Sequence, residues 1–271
     1  MIARGRDHVV ENNVIKSTLL RLMDGGAIYS FGDDCTGGIW RHNIIEDVVG
    51  STEGSVTPST SNYSVGIYFD QWCHDMTAAS NSVIRAGGIG MYVQLNDARI
   101  TMTNNLIYDS GQKVAMVQLV QHTTGTYGGH VFTGNTLYPT TDSATFFYLV
   151  QEDGTAFVDW GTMGGNQYCN PYSSPTPFIA YGNGPGGPGW HEVALAGWQS
   201  LGGFGHDVDA TDVYAHFAAG VRPERLFVNP TAAPLPVDLS AGTYKDLAGN
   251  PVSGPVALAP YTSLILIQES P

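Results

Sequence analysis

Ile100-Thr-Met-Thr-Asn-Asn-Leu-Ile-Tyr108, followed shortly by Val114-Ala-Met-Val-Gln118, is the stretch that decides the fold. An apolar residue, Met102, stands three places before Asn105. Two places after Asn105 comes an aliphatic residue, Ile107. A second strand-like run then begins within ten residues.

The same unit recurs outward in both directions. Asn13-Val-Ile15, Asn43-Ile-Ile45, Asn81-Ser-Val83 and Asn135-Thr-Leu137 repeat the Asn element, with Val10, Trp40, Ala78 and Phe132 three places before each Asn. The second run recurs as Gly26–Tyr29, Gly66–Phe69, Gly90–Val93, Ala115–Gln118 and Phe146–Leu149. Successive Asn residues are 30, 38, 24 and 30 positions apart. A fixed element with a variable interval is the mark of a solenoid whose insertions sit at one bend. A coil of this size cannot close a core alone, but coils stacked ~4.8 Å apart can. Apolar positions then form inward columns. An Asn at a repeated bend tolerates left-handed backbone and bonds to the Asn of the next coil. The fold class expected is therefore all-β: a right-handed parallel β-helix of about five coils with a C-terminal β segment.

The pattern sets three regions. Residues 1–154 carry the coils. Residues 155–230 read as an irregular, loop-rich segment with one short helix within His191–Leu201, a turn at Gly182–Gly189 and an Asp-rich turn at Asp207, Asp209 and Asp212. Residues 231–271 read as β-strands that pack on the end of the solenoid. The first coil starts abruptly near residue 8, which points to truncation, a homo-oligomer contact or a missing N-terminal domain. The Ser/Thr-rich run Ser51–Ser61 reads as a loop bulging from one bend.

Composition narrows the function. The chain of 271 residues has 11 Lys plus Arg against 24 Asp plus Glu, a net charge of −13. That balance argues against nucleic acid, which needs a basic footprint, and against an anionic membrane surface. It also disfavours polyuronates, whereas neutral glycans meet no such repulsion. No stretch is apolar enough for a bilayer span. Cys35, Cys73 and Cys169 lack metal-site or disulfide-framework spacing and read as buried thiols. No cofactor or metal is expected. The start is not a signal peptide, yet the repeat suits an extracellular or periplasmic protein.

Three stretches together carry a resemblance. They are Asp24–Tyr29 with Asp33 and then Arg41–Asp47; Gly66–Asp70; and Leu195–Gln199 followed by Gly205–Asp207 and Phe227–Pro230. In this order they resemble bacterial β-helix carbohydrate-active proteins. Among characterised groups the chain is most similar to glycoside hydrolase family 141, which includes an α-L-fucosidase and a xylanase. The resemblance implies an aspartate pair at Asp24 and Asp70. Where the family often has a second acid after the latter, this chain has Gln71.

Register offers a different pair. Glycoside hydrolysis needs two carboxyl groups flanking the bond, ~5–5.5 Å apart for retention and ~6.5–9.5 Å for inversion. Aligning Ile28 with Ile67 sets Phe31 level with Asp70 and Asp33 two positions further. Asp24 falls seven positions away, too far on straight strands at ~3.3 Å per residue unless its bend folds back. The partner of Asp70 is thus Asp24 by resemblance and Asp33 by register. Beyond Asp70 the same column continues with Gln94, Gln118 and Gln151. With Tyr68, Tyr92 and Trp72 these would form a groove that bonds hydroxyls and stacks on sugar rings. His74, beside Asp75, is placed to orient a carboxylate. The expected function is a glycoside hydrolase acting on a neutral glycan. A polysaccharide lyase and a non-catalytic glycan-binding or structural module are the alternatives. The lyase is disfavoured by the dispersal of Arg41, Arg85 and Arg99.

Overall fold

A computed structural model describes residues 1–32, 35–51, 62–111, 113–119, 128–141, 143–151, 157, 159–169, 178–184, 187–203, 207–212 and 224–270, with the backbone alone at 116–119, 184, 203, 211–212 and 270. The Ser/Thr-rich loop falls almost entirely outside these residues.

Three parallel sheets wrap one core. The first contains Val9–Glu11, Ile39–Arg41, Thr77–Ala79, Thr101–Thr103, His130–Thr133 and Gly161–Gly164. The second runs from Val14–Thr18 through Ile44–Val48, Ser82–Ala86, Leu106–Tyr108, Thr136–Tyr138 and Gln167–Tyr168 to Thr211–Asp212. The third contains Gly25–Phe31, Ser64–Asp70, Ile89–Val93, Lys113–Leu119, Thr145–Gln151 and Phe178–Gly184, and Gly187–Val193 closes it antiparallel. Each coil contributes one strand per sheet, in register: Val83 pairs with Ile45 and Ile107, and Met91 with Ile67 and Ala115. Inward positions supply the core, where Trp40 stacks on Phe69 at 4.6 Å and Phe132 meets Phe147 at 5.2 Å.

The bend between the first two sheets is built on the repeated Asn. Each Asn Nδ2 donates to the Oδ1 of the next, from Asn13 through Asn43, Asn81, Asn105 and Asn135 to Asn166. From Asn43 onward, each also donates to a backbone carbonyl: Val10, Trp40, Ala78, Met102 and Phe132. These are the apolar residues three places before the preceding Asn, so the sequence element is one bonded unit. The left-handed backbone belongs to the residue before the Asn: Asn12, His42, Ser80 and Asn104 have φ of 57°, 52°, 55° and 54°, and Gly134 and Gly165 take the same conformation without a Cβ penalty.

Four expectations are corrected. Periodicity ends the solenoid at residue 154, but Gly161–Gly164, Gln167–Tyr168 and Phe178–Gly184 form a sixth coil. Its element is Asn166-Gln-Tyr168, where a buried Tyr replaces the aliphatic residue. Second, the expected turn at Gly182–Gly189 is largely hairpin strand, with Gly182 paired to Gly189. Third, Asp207 of the Asp-rich turn belongs to the buried stack and not to an irregular loop. It is fully buried and ends the Asn column, accepting from Asn166 Nδ2 at 2.8 Å and from the Tyr168 hydroxyl. Fourth, the C-terminal strands lie on the flank of the solenoid rather than its end. Leu247 and Ile265 pack with Tyr138, Cys169, Leu106 and Tyr108 of the second sheet, and Ser263 bonds Ser82 at 2.5 Å. These outward side chains are apolar and need a cover. The core end is covered by helix Leu195–Ser200, whose buried Trp198 stacks on Phe178 at 5.3 Å. At the other end residues 1–7 already belong to a coil: Ile2 bridges Tyr29, and Asp7 N–H donates to Thr36 O at 2.8 Å.

Candidate active site

The far end of the third sheet gathers the residues with chemistry. Phe31 pairs with Asp70, so the register expected from Ile28 and Ile67 is the one observed. The ladder continues to Gln94, whose N–H donates to Phe69 O at 2.9 Å. Since Ile2 bridges Tyr29, Arg4 occupies the same outward column as Phe31 and Asp70. Its guanidinium lies 5.7 Å from the centre of the Phe31 ring. The adjacent outward column is Tyr29, Tyr68 and Tyr92.

These columns hold Asp70 firmly. The Tyr29 hydroxyl donates to Asp70 Oδ2 at 2.5 Å, and the Tyr68 hydroxyl donates to Gln94 Oε1 at 2.7 Å. Asp70 is half-buried, and burial pushes its carboxyl above the usual range. The hydrogen bond from Tyr29 opposes that shift, and the charge of Asp24 adds to it. Asp24 stands in the bend before Gly25–Phe31. Its backbone is seven positions from Asp70, yet its charge acts on Asp70, Tyr29 and Tyr68. Asp33 lies outside the described residues.

Beneath Asp70 is a buried column that sequence reasoning missed. Cys35, Cys73 and Asp97 follow one another on successive coils, because Thr36, His74 and Ala98 are bridged in register. Asp97 is 1% exposed and its Oδ1 accepts the Cys73 N–H at 2.8 Å. Burial raises its carboxyl well above the usual range, and the charge of Asp70 adds to this. The bond from Cys73 braces the corner after Asp70, where Gln71 and Trp72 take φ of 27° and 73°. Two consecutive non-glycine residues in this region cost of order 1–3 kcal/mol each. The corner presents Trp72, 39% exposed, beside Asp70.

The remaining expected residues divide. Tyr68 and Tyr92 are each 2% exposed and stack on one another at 4.9 Å, so they form a wall and offer no free face to a sugar. Gln94 reaches the cluster through Tyr68. Gln118 follows Gln94 in the column by backbone register, since Val117 pairs with Val93, and its side chain is outside the described residues. Gln151 is one position out: Gln118 pairs with Val150, and Gln151 is buried. His74 neighbours Asp75, which is held by Nε and Nη2 of Arg99 at 2.5 and 2.7 Å. Tyr29, Arg4 and Asp97 carry no sequence signal of function. They become visible only when coils are stacked.

Among the described residues, no group of three or more His, Cys, Asp or Glu converges to hold a metal. No helix among the described residues is long and apolar enough to cross a membrane. No curated protein and no solved structure matches the chain. A family model described as a right-handed beta helix region matches residues 1–155, more than half of the chain. The stacked parallel sheets and that match agree, and the protein belongs to the right-handed β-helix region family.

Proposed function

We propose that this protein hydrolyses glycosidic bonds in a largely neutral glycan on the outer face of its third sheet. The reading rests on Asp70, a half-buried carboxyl raised by burial, held by Tyr29, flanked by Asp24 and presented beside the exposed Trp72. A carboxyl raised above its usual range, with its protonated form favoured by burial, is suited to protonate a leaving glycosidic oxygen. Asp24 supplies the second carboxylate that the reaction requires. Trp72 offers an aromatic face for a sugar ring.

A non-catalytic glycan-binding role is the second reading, favoured by the Tyr29 bond, since a carboxyl so held can serve structure alone. A panel of neutral oligosaccharides, assayed for reducing ends with the wild type and Asp70→Asn, separates the two. Hydrolysis that Asp70→Asn abolishes supports the enzyme. Glycan binding without turnover in either protein supports the module. Unsaturated products would reassign the reaction to elimination, with Arg4 as the nearby cation.

A further inference from the structure

Cys35 and Cys73 stand 38 positions apart in the sequence but on adjacent coils in the fold. Thr36 is bridged in parallel to His74, and His74 N–H donates to Cys35 O at 3.0 Å. The residue before each bridge partner is a cysteine. The two therefore lie level with one another at the spacing of neighbouring parallel strands, ~4.8 Å. A disulfide needs Cα atoms about 4.4–6.8 Å apart. Both side chains are fully buried in the same core. Their thiols are within hydrogen-bonding reach of one another. Cys169 is buried in a different cluster, against the C-terminal strands.

The two thiols follow Phe31 and Asp70, which are members of one column. Cys35 Sγ donates to Phe31 O at 3.2 Å, and Cys73 Sγ donates to Asp70 O at 3.7 Å. A thiol is a weak donor, so little is lost when sulfur gives up its hydrogen. Between Asp70 and Cys73 stand Gln71 and Trp72, whose backbone is left-handed. A bond from Cys73 to the preceding coil would hold this strained corner from one side, as Asp97 holds it from the next coil on the other.

We propose that Cys35 and Cys73 form a cross-coil disulfide site that pins the corner carrying Asp70 and Trp72. The two thiols lose two electrons and two protons to an oxidised small-molecule disulfide of the glutathione type. That oxidant leaves as two thiols, and one sulfur–sulfur bond forms between the coils. The exchange passes through a mixed disulfide on one cysteine, from which the other displaces the small thiol. It takes place while the coils assemble. In the folded protein, burial pushes the Cys73 thiol up, away from the thiolate that exchange requires. The same burial shields the finished bond from reductant. The link closes the longest of the intervals between coils, the one that contains Ser51–Ser61. It concerns the frame beneath Asp70 and holds whether or not Asp70 is catalytic.

The test is refolding of the full chain, from denaturant with reductant, into reduced and oxidised glutathione, followed by alkylation and peptide mass mapping. Incubation of the native protein with oxidised glutathione just below its melting transition, where coils open locally, gives the same readout without refolding. Arg41 lies between the two cysteines, so trypsin leaves them on separate peptides. A single linked pair, Cys35 with Cys73, is expected, with Cys169 alkylated. The linked protein should melt about 5–10 °C above the same protein kept in reductant. Cys35→Ala and Cys73→Ala, checked for fold by circular dichroism, should show no such difference. Folded, oxidant-treated protein in which Cys35 and Cys73 are both alkylated, or each capped by glutathione, would overturn the site, and so would a link to Cys169. A linked protein that melts no higher than the reduced one would overturn the pinning.

Discussion

Two columns of this solenoid are stacked by the same geometry and treat their residues oppositely. At the bend between the first and second sheets, six coils place Asn in one position. At the end of the third sheet, successive coils place Arg4, Phe31, Asp70 and Gln94 in one position. In the Asn column every amide from Asn43 to Asn166 donates and accepts along the stack, so these polar groups are satisfied and chemically quiet. In the other column neighbours differ, and Asp70 is accommodated by the Tyr29 hydroxyl against burial and the charge of Asp24. Uniform columns carry the fold, and the column whose residues change from coil to coil is the one on which the proposed chemistry rests.

The sharpest way to break this contrast is inside the Asn column. Asn105 makes four side-chain bonds, two received from Asn81 and two donated, to Ala78 O and Asn135. Asn105→Ala strands buried donors and acceptors on both neighbouring coils and should cost roughly 3 kcal/mol or more in urea denaturation. Asn13→Ala, at the half-exposed start of the column, should cost about 1 kcal/mol. Equal costs would mean that the column does not act as a stack.

The opposite change tests the other column. Asp70→Asn keeps the shape and the acceptor for Tyr29, so stability should move by less than about 1 kcal/mol. Turnover on a responsive glycan should fall by about 10²–10⁴. A variant that unfolds instead would make Asp70 part of the frame.

A pH experiment separates the columns without substrate. Asp70 and Asp97 have carboxyls raised in the folded state. The folded protein therefore binds more protons than the unfolded chain, and stability falls as pH rises from about 4 toward the raised folded values. Asp97→Asn keeps the acceptor for Cys73 N–H and removes the larger part of that fall. Ion-paired Asp47 and Asp75, whose carboxyls are lowered by their arginine bonds, act in the opposite sense. The quantity to read is thus the difference in melting temperature between wild type and variant across pH 4–8. It should widen with pH, and a flat difference would remove Asp97 from the set of buried titrating groups.

The smallest effect is expected at Trp72. Trp72→Ala should weaken glycan binding by about 0.5–1.5 kcal/mol, read by calorimetry, with little change in melting temperature.

The repeat was legible because a solenoid writes its fold at fixed positions. The Asn, the apolar residue three places before and the aliphatic residue two places after are one local unit, so alignment alone sets the register Phe31–Asp70. The sixth coil was not legible, since Tyr168 stands where an aliphatic residue marks the others. It meets the role by burying its ring and bonding Asp207. The C-terminal strands were legible as strands but not in their place. Their docking depends on the outward side chains of the second sheet, which periodicity alone does not distinguish from solvated ones.

The amino-acid sequence by itself determined the parallel stack, the Asn column and the prominence of Asp70, because each follows from spacing along the chain. Only the tertiary structure decided that the Tyr29 hydroxyl bonds Asp70 and that Asp97 lies beneath it. Those relations join residues on different coils and across the bends, where distance is set by stacking and burial and leaves no trace in the order of residues.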